Sequence, residues 1–335
     1  MSKNPTIADV AREAGVSTAT VSRTLNDPDR VKEPTRVAVQ DAVNKLGYTP
    51  HFGGRILASN RTNTVGAVIP TMENAVFAHG LQTLQASLAD MGITLLVATS
   101  SYDREHEEHQ IRTLLARGVD GLALIGAERS AEIYALLDRR EVPYVLMWTG
   151  GKADGHFTVG FDNDAAARQV VDKVVAAGHT KIAMIAGTTE GNDRAAERVA
   201  GVRAALAERG LPAPTIVEVP YQIEEGERAA AAFLSAAERP TVLICGNDVL
   251  AAGALRAART HGVNVPDQIS IVGFDDIDLA RVVEPPLTTV RVPHRRMGTS
   301  AAQHLVEWMR TGVKPASILY RTDFIERASL GRPPK

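Results

Sequence analysis

Two rhythms of apolar residues divide the chain. Up to residue 46 they recur every three or four positions, the period of an amphipathic helix. "TIADVAREAG" places Ile7, Val10, Ala11 and Ala14 on one face, with Thr6 as a cap and Gly15 as a stop. "STATVSRTLN" opens on Ser17, a helix-capping residue, and sets Val21 and Leu25 four apart. "VKEPTRVAVQDAVNKLGY" carries Val39, Val43 and Leu46 at helical spacing and closes on Gly47, but Lys32 and Glu33 precede Pro34 where a small polar cap is usual. Three short helices in about fifty residues predict a small head with a marginal core.

From Thr64 onward, strand-length apolar runs alternate with amphipathic segments such as "VFAHGLQTLQASLADMG". The runs are "TVGAVI", "ITLLVAT", "DGLALIG", "PYVLMW", "FTVGFD", "KIAMIAG", "TIVEVP", "TVLICG", "ISIVGFD" and "LTTVRV". Continuous apolar strands alternating with helices predict parallel sheets covered on both faces. Two sets of about five strands make two doubly wound lobes, with a break near residues 156–162 and a return near 288–293. In such lobes ligands bind beyond the carboxyl ends of the strands.

Composition changes this picture little. The 335 residues are 44% hydrophobic and 23% charged, ordinary for a soluble globular protein. The apolar runs are far shorter than a membrane span, and "MSKNPTIADVAREAG" lacks the apolar centre of a signal peptide, so a cytoplasmic location with no membrane partner is expected. The single cysteine, Cys245, lies in an apolar run and reads as a small buried hydrophobe. Charge is uneven: residues 1–62 hold nine Lys/Arg against six Asp/Glu, the remainder 28 against 33. A mildly basic head permits nucleic-acid binding without specifying it.

The motif "IADVAREAGVSTATVSRTLN" specifies more. Two short helices joined by "AGVS" match a helix-turn-helix, with Ala11 small at the crossing, Gly15 permitting the turn and Val16 plugging between the helices. The second helix presents Thr18, Ala19, Thr20, Ser22 and Arg23 outward. Arginine can grip a guanine edge or a phosphate, alanine can meet a thymine methyl, and hydroxyls suit phosphates. Downstream, "YTPHFGGRILASNRT" reads as a helix handicapped by Gly53-Gly54, each glycine disfavouring it by roughly 1 kcal/mol relative to alanine.

With these motifs the chain resembles the lactose repressor/galactose repressor (LacI/GalR) family of bacterial transcription regulators. The resemblance rests on "TIADVAREAGVSTATVSRTLN", "VAVQDAVNKLGYTP", "RILASNRTNTVGAVIP", "RVAGVRAAL", "CGNDVLAAGAL" and "VPDQISIVGFDDIDLARVVEPPLTTV", in order across essentially the whole length. It implies an all-α helix-turn-helix head (1–49), a hinge helix (50–62) and a two-lobed, periplasmic-binding-protein-like effector and dimerisation core (63–335). It also implies a homodimer on a pseudo-palindromic double-stranded operator.

Residue by residue, the resemblance implies a DNA-binding set of Thr6, Ser17, Thr18, Ala19, Thr20, Ser22, Arg23, Asn26, His51, Arg55, Leu57 and Ala58. Leu57 takes the place of the leucine that wedges open the central minor-groove step, a kink repaid by wrapped contacts. His51 and Gly53-Gly54 depart from the family's asparagine and alanines. The implied effector set is Val76, Phe77, Trp148, Asn192, Arg194, Arg198, Tyr221, Asn247 and Asp275. A guanidinium with a carboxylate holds vicinal hydroxyls or a carboxylate, and aromatic faces suit sugar rings. The effector expected is a small polar molecule, a sugar, sugar acid or sugar phosphate; two arginines at one cleft suggest an anionic one, while the resemblance equally admits neutral sugars and nucleobases.

Other patterns carry no chemistry. "HEEH" at 106–109 is not the HExxH of a zinc protease, Asp275, Asp276 and Asp278 lack the calcium-loop spacing, and "MIAGTTEGNDR" lacks the GK[ST] ending of a phosphate loop. No nucleophile is assembled with a base, so neither an enzyme nor a cofactor or metal is expected. The alternative reading, a solute-binding protein of a transport system, leaves the helix-turn-helix without a use.

Overall fold

A computed structural model describes residues 5–49, 61–73, 75–150 and 155–334. The chain forms two compact units, residues 1–62 and 63–335.

The first unit holds α1 (Ile7–Glu13), α2 (Thr18–Asn26), a 3₁₀ turn (Pro28–Arg30) and α3 (Glu33–Leu46). Local chemistry sets each boundary. Thr6 and Asp9 close a reciprocal capping box on α1, and Ser17 caps α2 by accepting from the Thr20 amide at 3.1 Å. Gly15 turns between the two helices at φ +66°, a left-handed conformation that favours glycine. The start of α3 has no side-chain cap, but Gly47 ends it in the left-handed conformation. Val10, Ala11, Val21, Val39 and Ala42 bury their side chains together with Tyr48, which the helical period did not mark.

The second unit carries two parallel sheets. The first combines β1 (Thr64–Ile69), β2 (Thr94–Thr99), β3 (Gly121–Ile125), β4 (Tyr144–Met147), β5 (Thr158–Phe161) and β11 (Ile318–Tyr320), ordered β2-β1-β3-β4-β5-β11. Beside it lie α4 (Ala75–Asp90), α5 (Arg104–Ala116), α6 (Ala131–Arg139) and α12 (His294–Thr311). The second sheet combines β6 (Ile182–Gly187), β7 (Thr215–Val219), β8 (Val242–Cys245) and β9 (Ser270–Val272), ordered β7-β6-β8-β9. Its helices are α7 (Asn163–Ala176), α8 (Asp193–Ala207), α9 (Ile223–Leu234), α10 (Asp248–Thr260) and the short α11 (Leu279–Val282). Both sheets reverse their strand order beside their first strand, so each has a switch point where loops diverge and leave a crevice.

Three expectations need correction. "LTTVRV" meets the second sheet only through isolated parallel bridges, Val272 with Thr288 and Asp275 with Arg291, while β10 (Thr289–Arg291) pairs antiparallel with β12 (Asp323–Ile325) in a separate ribbon. β11 and β12 are only three residues each, too short for a visible apolar run, and they give the chain a further passage between the lobes. After β11 and β12 the chain returns to the second lobe, where Ser329 accepts from the Ile271 amide. Finally, β2 and β7 are not covered on both faces, because each is a sheet edge with exposed positions.

Candidate functional site

In the head, α2 leaves Thr18, Ala19 and Arg23 exposed and Thr20 and Ser22 half-buried, while Val21 and Thr24 face the interior. Two candidate DNA contacts have local duties as well. The Thr6 hydroxyl donates to Asp9 at 2.7 Å, and the Ser17 hydroxyl holds the first turn of α2. Asn26 ends α2, but its side chain lies outside the described residues, as do His51, Gly53, Gly54, Arg55, Leu57 and Ala58. What the head offers is a short exposed face of hydroxyl, methyl and guanidinium groups on a helix fixed at its N-terminus.

In the core, strand ends from both lobes meet around one narrow cavity, whose atom-free space of about 320 Å³ includes open solvent. All nine candidate effector residues line it. Val76 and Phe77 follow β1, Trp148 follows β4, Asn192, Arg194 and Arg198 follow β6, Tyr221 follows β7, Asn247 follows β8 and Asp275 follows β9. Tyr102, after β2, is a tenth lining residue that sequence reasoning missed. It stands at φ +60°, unusual for a bulky residue, and its ring lies 6.1 Å from that of Tyr221. No sequence signal separates it from an ordinary loop tyrosine. Burial raises the pKa of both phenols, so both stay protonated.

The aromatic wall is fitted closely. Phe77 meets Trp148 edge to face at 5.4 Å. A Cβ on Gly80 would come within 2.4 Å of the indole, so the wall needs glycine there. Trp148 itself stands at φ +62° and donates its indole N–H to His294 Nδ1 at 3.0 Å. That acceptor role leaves the proton of the neutral imidazole on Nε2, which donates to the Asp275 carbonyl at 3.2 Å. Burial holds His294 neutral, its pKa pushed down to about 3. The imidazole thus ties the first-lobe tryptophan to the backbone of Asp275 in the second lobe.

Charge sits on the other wall. Arg198 donates from Nε to Asn163 Oδ1 at 2.9 Å and from a terminal nitrogen to the Gly246 carbonyl at 2.7 Å. Its guanidinium lies 3.8 Å over the Phe274 ring, and its other terminal nitrogen stands 3.9 Å from Asp275 Oδ1. Asn163, which sequence reasoning also missed, donates to the Trp148 carbonyl and so joins the two walls. Asp275 and Asn247 are each 2% exposed, and Asp275 Oδ1 and Asn247 Nδ2 have no hydrogen-bond partner. Asp275 adopts φ +108°, and burial pushes its pKa up to about 7 against the pull of Arg198 and Arg194. Asp248 braces the loop beneath, taking the Thr289 hydroxyl at 2.6 Å and the Ile277 amide at 2.9 Å.

The neighbouring acids are structural. Asp276 pairs with Arg291 and Arg327, and Asp278 faces His79 at 3.8 Å. Among the described residues no group of His, Cys, Asp and Glu is arranged to hold a metal ion, and no helix is long and apolar enough to cross a membrane.

Comparisons with known proteins agree with this division. Residues 6–51 match the model for bacterial regulatory proteins of the lacI family, and residues 171–330 match that for a periplasmic binding protein-like domain. The chain is 34% identical over 325 residues to catabolite control protein A of Priestia megaterium, covering 96% of this chain and 98% of that one. It is 34% identical over 340 residues to the HTH-type transcriptional repressor PurR of Escherichia coli O1:K1, covering 98% of each. The fold superposes on a lac repressor dimer bound to operator and the anti-inducer ONPF with a TM-score of 0.88, 25% identity and coverage of 98% and 99%. The chain therefore belongs to the lacI family of bacterial regulatory proteins and is a DNA-binding transcriptional repressor with an effector-binding core, not an enzyme.

Proposed function

We propose that a small polar effector of the sugar class (a sugar, sugar acid or sugar phosphate) binds between the two lobes of the core and sets the affinity of a homodimer for a pseudo-palindromic operator. The observation that carries this reading is the cavity. Strand ends from both lobes converge there on two arginines, aromatic faces and two buried polar atoms without hydrogen-bond partners, Asn247 Nδ2 and Asp275 Oδ1. A buried unpaired donor and acceptor are unfavourable until a ligand satisfies them, so occupancy favours the closed arrangement of the lobes.

DNA is read by the exposed face of α2, with Arg23 on base edges or phosphate and Thr18, Thr20 and Ser22 on the backbone. Effector closure changes the spacing of the two hinges, and with it the helix–coil balance of residues 50–59. A tenfold change in operator affinity needs only about 1.4 kcal/mol of coupling between the sites.

The test is an anisotropy titration of the full chain on operator-containing DNA, with and without a panel of sugars, sugar acids and sugar phosphates. Salt-sensitive, sequence-preferring binding that at least one compound shifts tenfold or more is expected. Binding unaffected by every compound would remove the effector reading while leaving the DNA-binding one. Leu57→Ala is expected to weaken operator binding strongly with effector affinity unchanged.

A further inference from the structure

Two arginines at the cleft suggest an anionic effector, yet their surroundings oppose one. Arg194 donates from its guanidinium to Asp193 Oδ1 at 3.0 Å, and its backbone amide donates to the same oxygen. The other oxygen of Asp193 accepts the Ala127 amide from the first lobe at 2.6 Å, which fixes the carboxylate between the lobes. The loop before Ala127 presses on this pair: a Cβ on Gly126 would lie 2.1 Å from the Arg194 guanidinium and 2.4 Å from Asp193 Oδ1. Arg129 holds that loop by donating to the carbonyls of Ile125 and Gly126 and to Glu107. An anion that drew Arg194 away would leave the Asp193 carboxylate, 16% exposed, without its countercharge.

Arg198 is no freer. Two of its nitrogens are engaged by Asn163 and Gly246, and the third faces Asp275. With Asp275 ionised, the two guanidiniums and two carboxylates cancel, and the cavity has no surplus positive charge. Outside lies a mouth of about 1980 Å³, part of it open to solvent, which shares Tyr102, Asn192 and Tyr221 with the cavity. Its charged lining is Glu73, Asp103, Glu105, Glu128 and Glu190 against Arg104, a potential that slows anions and lowers their local concentration. Of the cavity's buried side-chain atoms, the two without a hydrogen-bond partner, Asn247 Nδ2 and Asp275 Oδ1, are one donor and one acceptor. Sugar hydroxyls can donate to the carboxylate and accept from the amide, whereas the phosphate or carboxylate group of an acidic sugar offers acceptors alone and brings like charge to Asp275.

We propose that Asp193 is a specificity-determining residue: by neutralising Arg194 at the lobe junction, it makes the site select uncharged polyhydroxyl ligands and reject their acidic or phosphorylated counterparts. The proposal deepens, and rests on, the reading of the cavity as a sugar-class effector site.

Isothermal titration of the full chain at pH 8, where Asp275 is charged, tests it. The probes are neutral hexoses and disaccharides, each set beside its uronate and phosphate, with operator anisotropy measured in parallel. The expected result is a neutral saccharide bound at least about tenfold more tightly than its charged counterparts. Asp193→Asn should narrow that gap by about tenfold, and inorganic phosphate should then raise the Tm of this variant but not of the wild type. Asp193→Glu should restore rejection. If Asp193→Asn does not fold, the exposed-rim variant Glu128→Gln/Glu190→Gln should narrow the gap about twofold in low salt, with the difference vanishing in high salt. A uronate or phosphate bound as tightly as the neutral sugar would overturn the selectivity while leaving the effector site standing. If no compound of either kind binds or moves operator affinity, the sugar-class reading itself falls.

Discussion

The head and the core do chemistry under opposite rules. The head displays most of its candidate groups on one nine-residue helix, and the side-chain bonds that hold it are local, spanning no more than four residues: Ser17 with Thr20, Thr24 with the Thr20 carbonyl, and at the preceding helix Thr6 with Asp9. The core buries its groups and takes them from seven strand ends scattered from Val76 to Asp275. Removing one residue of the head weakens one contact. In the core each residue holds others: Arg198, Asn163, Trp148, His294 and Asp275 form a closed circuit across both lobes. Sites built from exposed local groups fail gradually, and sites built from buried mutual contacts fail together.

Arg198→Ala gives the sharpest separation. It removes the partner of Asn163 and Gly246 and leaves Asp275 with a more distant countercharge. We expect loss of the effector response and a core destabilised by about 2–4 kcal/mol in urea unfolding. The resemblance marks this arginine only as an effector contact; its bonds to Asn163 and Gly246 make it part of the framework as well. A stable core with an intact response would break the circuit argument.

Arg23→Ala addresses the other rule. Operator affinity should fall by about 1–3 kcal/mol in anisotropy titrations, with the unfolding of both units unchanged. A large loss of head stability would show that the exposed face is not free of structural duty.

The pH dependence of the core follows from Asp275, whose pKa stands at about 7 against 3.8 for an ordinary aspartate. Because the folded form binds the proton more tightly, its stability contribution without ligand is largest at low pH and declines as pH rises from about 4 to 7. Effector binding runs the other way, since a ligand hydroxyl donates to the ionised carboxylate. Affinity for an uncharged effector should therefore rise about tenfold from pH 6 to pH 8 by calorimetry. Asp275→Asn should flatten that slope. The exposed helix of the head carries no comparable group, so its share of operator binding should change little over the same range.

Ser17→Ala is the smallest effect. It deletes the cap of α2 and should cost the head about 1 kcal/mol, read as a lower head Tm and a modest loss of operator affinity, with the core transition unmoved.

How much was legible varied with the range of the interaction. The three head helices follow from period, caps and glycine stops, all local signals. Buried strands such as β1, β3, β6 and β8 announce themselves as continuous apolar runs. The three-residue strands β11 and β12 give no such signal, because their pairing depends on partners more than a hundred residues away in one case and more than thirty in the other. For the effector residues, family motifs supplied the candidates, but no motif marked Tyr102, Asn163 or His294. Their roles exist only where separate strand ends come together.

Arg194 marks the boundary most clearly. The sequence by itself determined that two arginines stand four apart on one helix, one face of which opens on a cleft. It also determined the helix-turn-helix, because capping, turning and helical period are decided within a few residues. Only the tertiary structure decided that Asp193, pinned by the Ala127 amide of the opposite lobe, takes the charge of Arg194 for itself. Net charge at a buried site is the sum over every element packed around it, and that sum is not written in any one stretch of chain.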